Sequence, residues 1–290
     1  MRDEIDLSGL WRFQPDAFDE GEARGWAAPD CDCRLWREVR VPCSFDECGP
    51  GMASYEGAGW FRRAVQVPAS WRGKRVVARF EGVNYHAHVW LNGGHVWTQE
   101  AGFLGFEVPL VEGVLWGRHN VIVVRADNVR RPGEVPGLER GWRPFGGVLR
   151  GVSLVAMDPL RIEDLAVRAE PAAGGGTITL RAALAHGQGE DVGAAFAVQV
   201  EDAAGVALAT FAAEPVRLRS GGQAQVELRG AVEGARPWSP ESPNLYTVRA
   251  RLSTGGRTAD EVRVRTGFRR IEAGEGGLLL NGRPVFLTGF

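Results

Sequence analysis

From Leu10 to about Met157, apolar and polar residues alternate in short runs bounded by Gly, Pro or Asn, the period of half-buried strands. The runs at 60–67, 75–80, 87–91, 120–125 and 152–156 are rich in Val, Phe and Trp, which pack well on a pleated surface. No helical periodicity of any length interrupts them. Within 87–91, Val89 and Leu91 fall on one face while His88 and Trp90 fall on the other. Asn92-Gly93 then offers the positive φ values of a two-residue hairpin. Gly146-Gly147 permits a backbone approach that side chains would block.

A second region opens at 161–169. Ala and Gly rise there, and of the ten tryptophans only Trp238 remains. Strands at 177–182, 195–200, 224–228 and 246–252 alternate apolar with polar residues and recur with turn signals between them, as in a sandwich of about 100 residues. Gly174-Gly-Gly176 and Gly255-Gly256 read as loop tips, and Asp158-Pro159 as the boundary between the regions. The expected fold class is all-β. At the far end, 278–280 is a short apolar strand, Asn281-Gly282 a tight turn, and 285–287 a second apolar strand with nothing to cover it.

Composition bounds the function. With 290 residues, 44% of them hydrophobic and 24% charged, two domains can each bury a core. A formal net charge of −2 gives no field of one sign to attract nucleic acid or an anionic membrane. Charges at Arg2, Asp3, Glu4 and Asp6 stand where a secretory signal needs an apolar core, and no run approaches the roughly 20 apolar residues of a membrane span. A cytoplasmic protein with neither nucleic-acid nor membrane partners is expected. Cys31, Cys33, Cys43 and Cys48 depart from the usual zinc-knuckle spacing and read as free thiols.

Two other patterns have both a chemical and a bland reading. His86 and His88 share a strand face and could chelate a metal if His95 or Glu100 came near. A polar strand face explains them as well, and no metal site is expected. Nine tryptophans in the first region suggest stacking on sugars, but Trp11, Trp60, Trp71 and Trp90 sit in or beside strands, where core packing is simpler. Trp142 lies instead in the long segment 130–145, which mixes Arg130, Arg131, Arg140 and Arg143 with aromatic residues as a partner-contacting loop does.

The order of short motifs carries a resemblance. Leu7-Ser-Gly-Leu-Trp-Arg-Phe13, Val41-Pro-Cys-Ser44, Gly59-Trp-Phe-Arg-Arg63, Phe80-Glu-Gly-Val-Asn84, Val89-Trp-Leu-Asn-Gly93, Val124-Arg-Ala-Asp-Asn128 and Gly146-Gly-Val-Leu-Arg-Gly-Val152 follow one another over the first region. Pro237-Trp-Ser-Pro-Glu-Ser-Pro-Asn-Leu-Tyr246 and Gly267-Phe-Arg-Arg-Ile271 lead into the tail. In this order they resemble glycoside hydrolase family 2, the β-galactosidase, β-glucuronidase and β-mannosidase group.

The resemblance implies a jelly-roll, sugar-binding-like domain over 1–158 and an immunoglobulin-like sandwich over 159–268. Residues 269–290 would form a linker and the first strand of a (β/α)8 barrel. It implies an enzyme that hydrolyses terminal β-linked sugars of the glucuronide or galactoside type without a cofactor. Its acid/base and nucleophile glutamates would lie in the barrel, with carboxyls about 5 Å apart in a retaining mechanism. No catalytic residue is then expected in this chain. Its partner would be a carbohydrate substrate bound through the barrel, and a homo-oligomer stays open. Arg140, Trp142 and Arg143 are the candidate substrate or barrel contacts. Close β-glucuronidases carry an aspartate in this loop where Gly141 stands here, with Glu139 two residues before it. The competing reading is a stand-alone carbohydrate-binding or scaffold module.

Overall fold

The computed structural model describes residues 2–100, 102–134, 138, 145–274 and 276–288. Among these residues there is no α-helix, only antiparallel strands and two 3-10 turns, Phe45–Glu47 and Ala69–Trp71. The chain divides into two compact units, Asp3–Ala156 and Met157–Phe290, the latter also taking in the first two residues.

The first unit begins with β1 (Asp3–Asp6), β2 (Gly9–Asp16), β3 (Arg37–Val41), β4 (Cys43–Ser44) and β5 (Ala58–Gln66). It continues through β6 (Arg75–Phe80), β7 (Val83–Asn84), β8 (His86–Leu91), β9 (Gly94–Glu100) and β10 (Phe106–Pro109). β11 (His119–Asp127), β12 (Gly147–Val148) and β13 (Val152–Met157) complete it. One sheet runs β1-β13-β6-β10, a second β3-β2-β5-β11-β8-β9, and a small third β4-β12-β7.

Alternation decides what each face meets. Phe61 and Val65 of β5, Val89 and Leu91 of β8, and Ile122, Val124 and Ala126 of β11 point inward. There they join Val76, Ala78 and Phe80 of β6 and Val152, Leu154 and Ala156 of β13 in one core. Fully burying a side chain of this size contributes about 1.5–3 kcal/mol. Asn92 and Gly93 turn β8 into β9 with φ values of 49° and 87°, as the hairpin signal requires.

The outward face of the six-stranded sheet is not left to solvent. Trp60, Trp90 and Val123 form a second cluster there, closed by Trp26, Ala27 and Trp36 from the excursion between β2 and β3. Trp60 and Trp90 stack with centroids 4.8 Å apart, and the buried Trp60 Nε1 donates to Asp16 Oδ2 at 2.9 Å. Asp16 also accepts from the backbone N–H groups of Glu20 and Gly21, which ties down the start of the excursion. Trp11, Trp60, Trp71 and Trp90 are all buried, so none offers a ring to a sugar.

The second unit contains β14 (Arg161–Ala172), β15 (Gly175–Ala185), β16 (Val192–Glu201), β17 (Ala207–Ala212) and β18 (Val216–Leu218). It continues with β19 (Gln223–Glu233), β20 (Tyr246–Thr254) and β21 (Arg257–Thr266). β14-β15-β19 faces a sheet ordered β17-β16-β20-β21, with β18 also paired to β16. Ile178, Leu180, Ala182 and Leu184 of β15 meet Phe196, Val198 and Val200 of β16 and Val248, Ala250 and Leu252 of β20.

The tail forms a separate small sheet of β22 (Ile271–Gly274), β23 (Gly277–Leu280) and β24 (Arg283–Pro284). Asn281 and Gly282 make the turn, with φ values of 52° and 77°. The expected strand over 285–287 does not form. Val285 N–H donates to Leu278 O at 2.9 Å, the last ladder bond of the hairpin. Phe286 and Leu287 beyond it are exposed and find no strand to pair with among the described residues.

Candidate functional site

The segment that follows β11 is held at both ends by buried polar groups. At its start, Asp127 is 2% exposed and its Oδ1 accepts the Val129 N–H at 2.8 Å, an Asx turn that fixes where the chain leaves the sheet. Its Oδ2 accepts from Arg131 at 2.9 Å and from Arg125 at 3.3 Å. Burial alone would raise the Asp127 carboxyl, yet the Val129 N–H and the two guanidinium groups together hold it below the usual carboxylate range. A carboxylate so occupied has no proton to give near neutral pH.

Asn128 is 1% exposed and bridges to a neighbouring loop. Its Oδ1 accepts from Gly57 N–H and its Nδ2 donates to Tyr55 O, both at 2.9 Å. The Tyr55 hydroxyl donates to Ala58 O at 2.8 Å, and burial pushes its pKa up to about 12. Arg130 pairs with Glu56 at 2.8 Å. Glu134 reaches His86 Nε2 at 3.0 Å, while Glu100 lies 3.5 Å from His86 Nδ1.

The return is fixed in the same manner. Asn84 Nδ2 donates to Phe145 O, and Gly146 O accepts from Phe45 N–H at 2.8 Å. A Cβ at Gly146 would lie 2.4 Å from the Phe45 ring, and Gly147 has a φ of 125°, so both glycines are required by space or by backbone. From there β12 pairs with β4 and β7.

Of the loop arginines expected to face a partner, Arg130 and Arg131 lie down on the sandwich through Glu56 and Asp127. Arg140, Trp142 and Arg143, together with Glu139 and Gly141, lie outside the described residues. Sequence reasoning passed over Asn84, Tyr55 and Glu134. Their partners are 61, 3 and 48 residues away.

The histidines weighed as metal ligands separate. His86 spends both ring nitrogens on glutamates, whereas His88 and His95 both contact Thr98. The cysteines also part into two groups. Cys43 and Cys48 lie 3.6 Å apart in the inner core, where hydrogen bonding to Cys43 and burial raise the Cys48 thiol. Cys31 and Cys33 pack on the tryptophan cluster. Among the described residues, no group of three or more His, Cys, Asp or Glu side chains is placed to hold a metal ion.

Comparison with known proteins adds identity to this geometry. The sugar binding domain of glycosyl hydrolases family 2 matches residues 5–158, and a second domain of glycosyl hydrolases family 2 matches residues 160–269. A β-glucuronidase of Paenibacillus borealis is 26% identical over 98% of this chain and 48% of its own length. A β-galactosidase of Priestia megaterium is 25% identical over 98% of this chain and 30% of its own length. The fold superposes on a Ruminococcus gnavus β-glucuronidase solved with D-glucuronic acid, with a TM-score of 0.83 and 24% identity over the whole chain and 50% of that structure. This chain thus spans half or less of the proteins it matches. The two sandwiches are accordingly a jelly roll followed by an immunoglobulin-like domain, and the chain belongs to glycoside hydrolase family 2.

Proposed function

We propose that this chain is the non-catalytic N-terminal portion of a β-glycosidase of the glucuronidase or galactosidase type, an enzyme that removes terminal β-linked sugars. The observation that carries this reading is coverage: nearly all of the chain matches less than half of a β-glucuronidase and less than a third of a β-galactosidase. Residues 269–290 then enter a barrel that bears both carboxylates of a retaining mechanism. The segment 129–145, anchored at Asp127 and Asn84, reaches toward the barrel's sugar pocket with Arg140, Trp142 and Arg143. The state of Asp127 supports a non-catalytic role for the buried carboxylate at this root, since both of its oxygens are engaged and it is held ionised.

The test is turnover of chromogenic β-glucuronide, β-galactoside and β-mannoside by the 290-residue chain, and by a longer protein that continues into the barrel. The expected result is no hydrolysis above buffer for the first and clear hydrolysis for the second. Turnover by the 290-residue chain that disappears when one of its own carboxylates is replaced would overturn the proposal. Glycan binding by the chain, with no activity in the longer protein, would favour a carbohydrate-binding module instead.

A further inference from the structure

On the outer face of the β8–β9 hairpin, two imidazoles aim at one point. His88 Nδ1 and His95 Nε2 each lie 3.2 Å from Thr98 Oγ1, and the ring centroids are 5.9 Å apart. Plain hairpin pairing would not bring them together. Val89 pairs with Trp97 but Trp90 pairs with His95, so a bulge at Val96 moves His95 onto the face that carries His88 and Thr98. A bulge re-aims a side chain at the expense of ladder bonding, and such devices gather beside functional sites.

The surroundings brace both rings. Trp90 lies in a stacked orientation 6.1 Å from His88 and edge-on 5.3 Å from His95, and is itself stacked on Trp60. The groups acting on His88 are Arg125 from β11, His95 from β9, His86 on its own strand and Glu22 from the excursion after β2. Burial first, then Arg125 and His95, lower the His88 pKa, so the ring stays neutral near pH 7. The Thr98 hydroxyl has a single proton and can donate to only one of the two nitrogens that face it.

We propose that His88 and His95 form a surface site for a divalent transition metal that favours imidazole, such as Ni2+, Cu2+ or Zn2+, with water filling the remaining positions. Metal–imidazole bonds are about 2.0–2.1 Å long, so on binding the exposed His95 ring moves inward and the Thr98 hydroxyl rotates aside. The metal then staples β9, at the sheet edge, to β8. This assignment is independent of the glycosidase reading and of any barrel.

Calorimetric titration of the tag-free chain with Ni2+ and Zn2+ at pH 7.5 tests it. One equivalent of Ni2+ should bind. His88→Gln and His95→Gln should each weaken binding at least tenfold. His119→Gln, His186→Gln and Thr98→Val should leave it intact. Because His95 is exposed, His95→Gln should keep the parent Tm without metal but lose the Tm rise that Ni2+ gives the parent. Unchanged affinity in His95→Gln, loss of binding in Cys31→Ser/Cys33→Ser instead, or no uptake at all would overturn the proposal.

Discussion

The side-chain amide of Asn84 donates to the backbone carbonyl of Phe145 at 2.6 Å, joining the end of β7 to the point where the long segment after β11 re-enters the sandwich. With Asp127 at the exit, it makes the base of that segment part of the folded core. Catalytic proteins often need this arrangement, in which a rigid scaffold presents a contacting loop.

Asn84→Ala removes a buried donor and leaves the Phe145 carbonyl without it. A loss of about 1–3 kcal/mol is expected, read as a lower urea midpoint with an unchanged m-value. Faster amide exchange on the flanks of 129–145 should accompany it. An unchanged midpoint would show that the contact is dispensable.

Asp127 gives a pH signature with a definite sign. Its folded pKa is depressed, so its contribution is present above the unfolded value of about 3.9 and is lost as pH falls through the folded value. Asp127→Asn should cost about 2 kcal/mol at neutral pH and reduce the extra destabilisation of the parent chain below pH 4. Parallel stability curves for parent and variant across pH 2–6 would contradict the assignment.

Gly146→Ala places a methyl carbon 2.4 Å from the Phe45 ring and 2.8 Å from Asn128 Cβ. Phe45 cannot yield easily, because it packs against Phe13, Tyr55 and Phe61. The expected loss is about 1–3 kcal/mol, measured by thermal unfolding. Gly113→Ala has nothing within 4 Å of its Cβ but has a φ of 78°, so it serves as a control for backbone strain alone.

Trp142→Ala/Arg143→Ala tests the proposed contact of the loop. The Tm of the 290-residue chain should shift by less than about 2 °C, since surface changes usually stay within ±0.5 kcal/mol. In the barrel-bearing protein the same pair should lower kcat/KM or alter the preference between glucuronide and galactoside. A large drop in Tm would mean that these side chains pack into the sandwich.

Local features were the most legible in the sequence. The division of Val89 and Leu91 from His88 and Trp90 follows from a period of two, and the Asn92-Gly93 and Asn281-Gly282 turns follow from side chains that tolerate positive φ. Features set by distant residues were not legible. Nothing near Trp60 or Trp90 reveals that Trp26 and Trp36 cover them, and a bulge at Val96 is invisible where Val96, Trp97 and Thr98 are all competent strand formers. Hydrophobicity suggested a strand at 285–287, but a strand also needs a neighbour, and the hairpin's pairing had already ended at Val285. At the root of the candidate site, Asp127-Asn128 was visible only as the end of the motif Val124-Arg-Ala-Asp-Asn128, while the ties of Asn128 to Tyr55 and of Asn84 to Phe145 depend on the finished fold.

The strand order also sets a timetable for synthesis. β1 pairs with β13 in the register Asp3↔Ala156 to Asp6↔Ser153, so the first strand of this unit must wait for its last strand. The later sandwich is wired differently, since β14 pairs with β15 and β20 with β21 across short turns. Contacts between residues close in sequence form sooner than those that must first close a long loop. The first unit therefore completes this sheet late, and β1 stays unpaired with β13 until residue 156 has been synthesised.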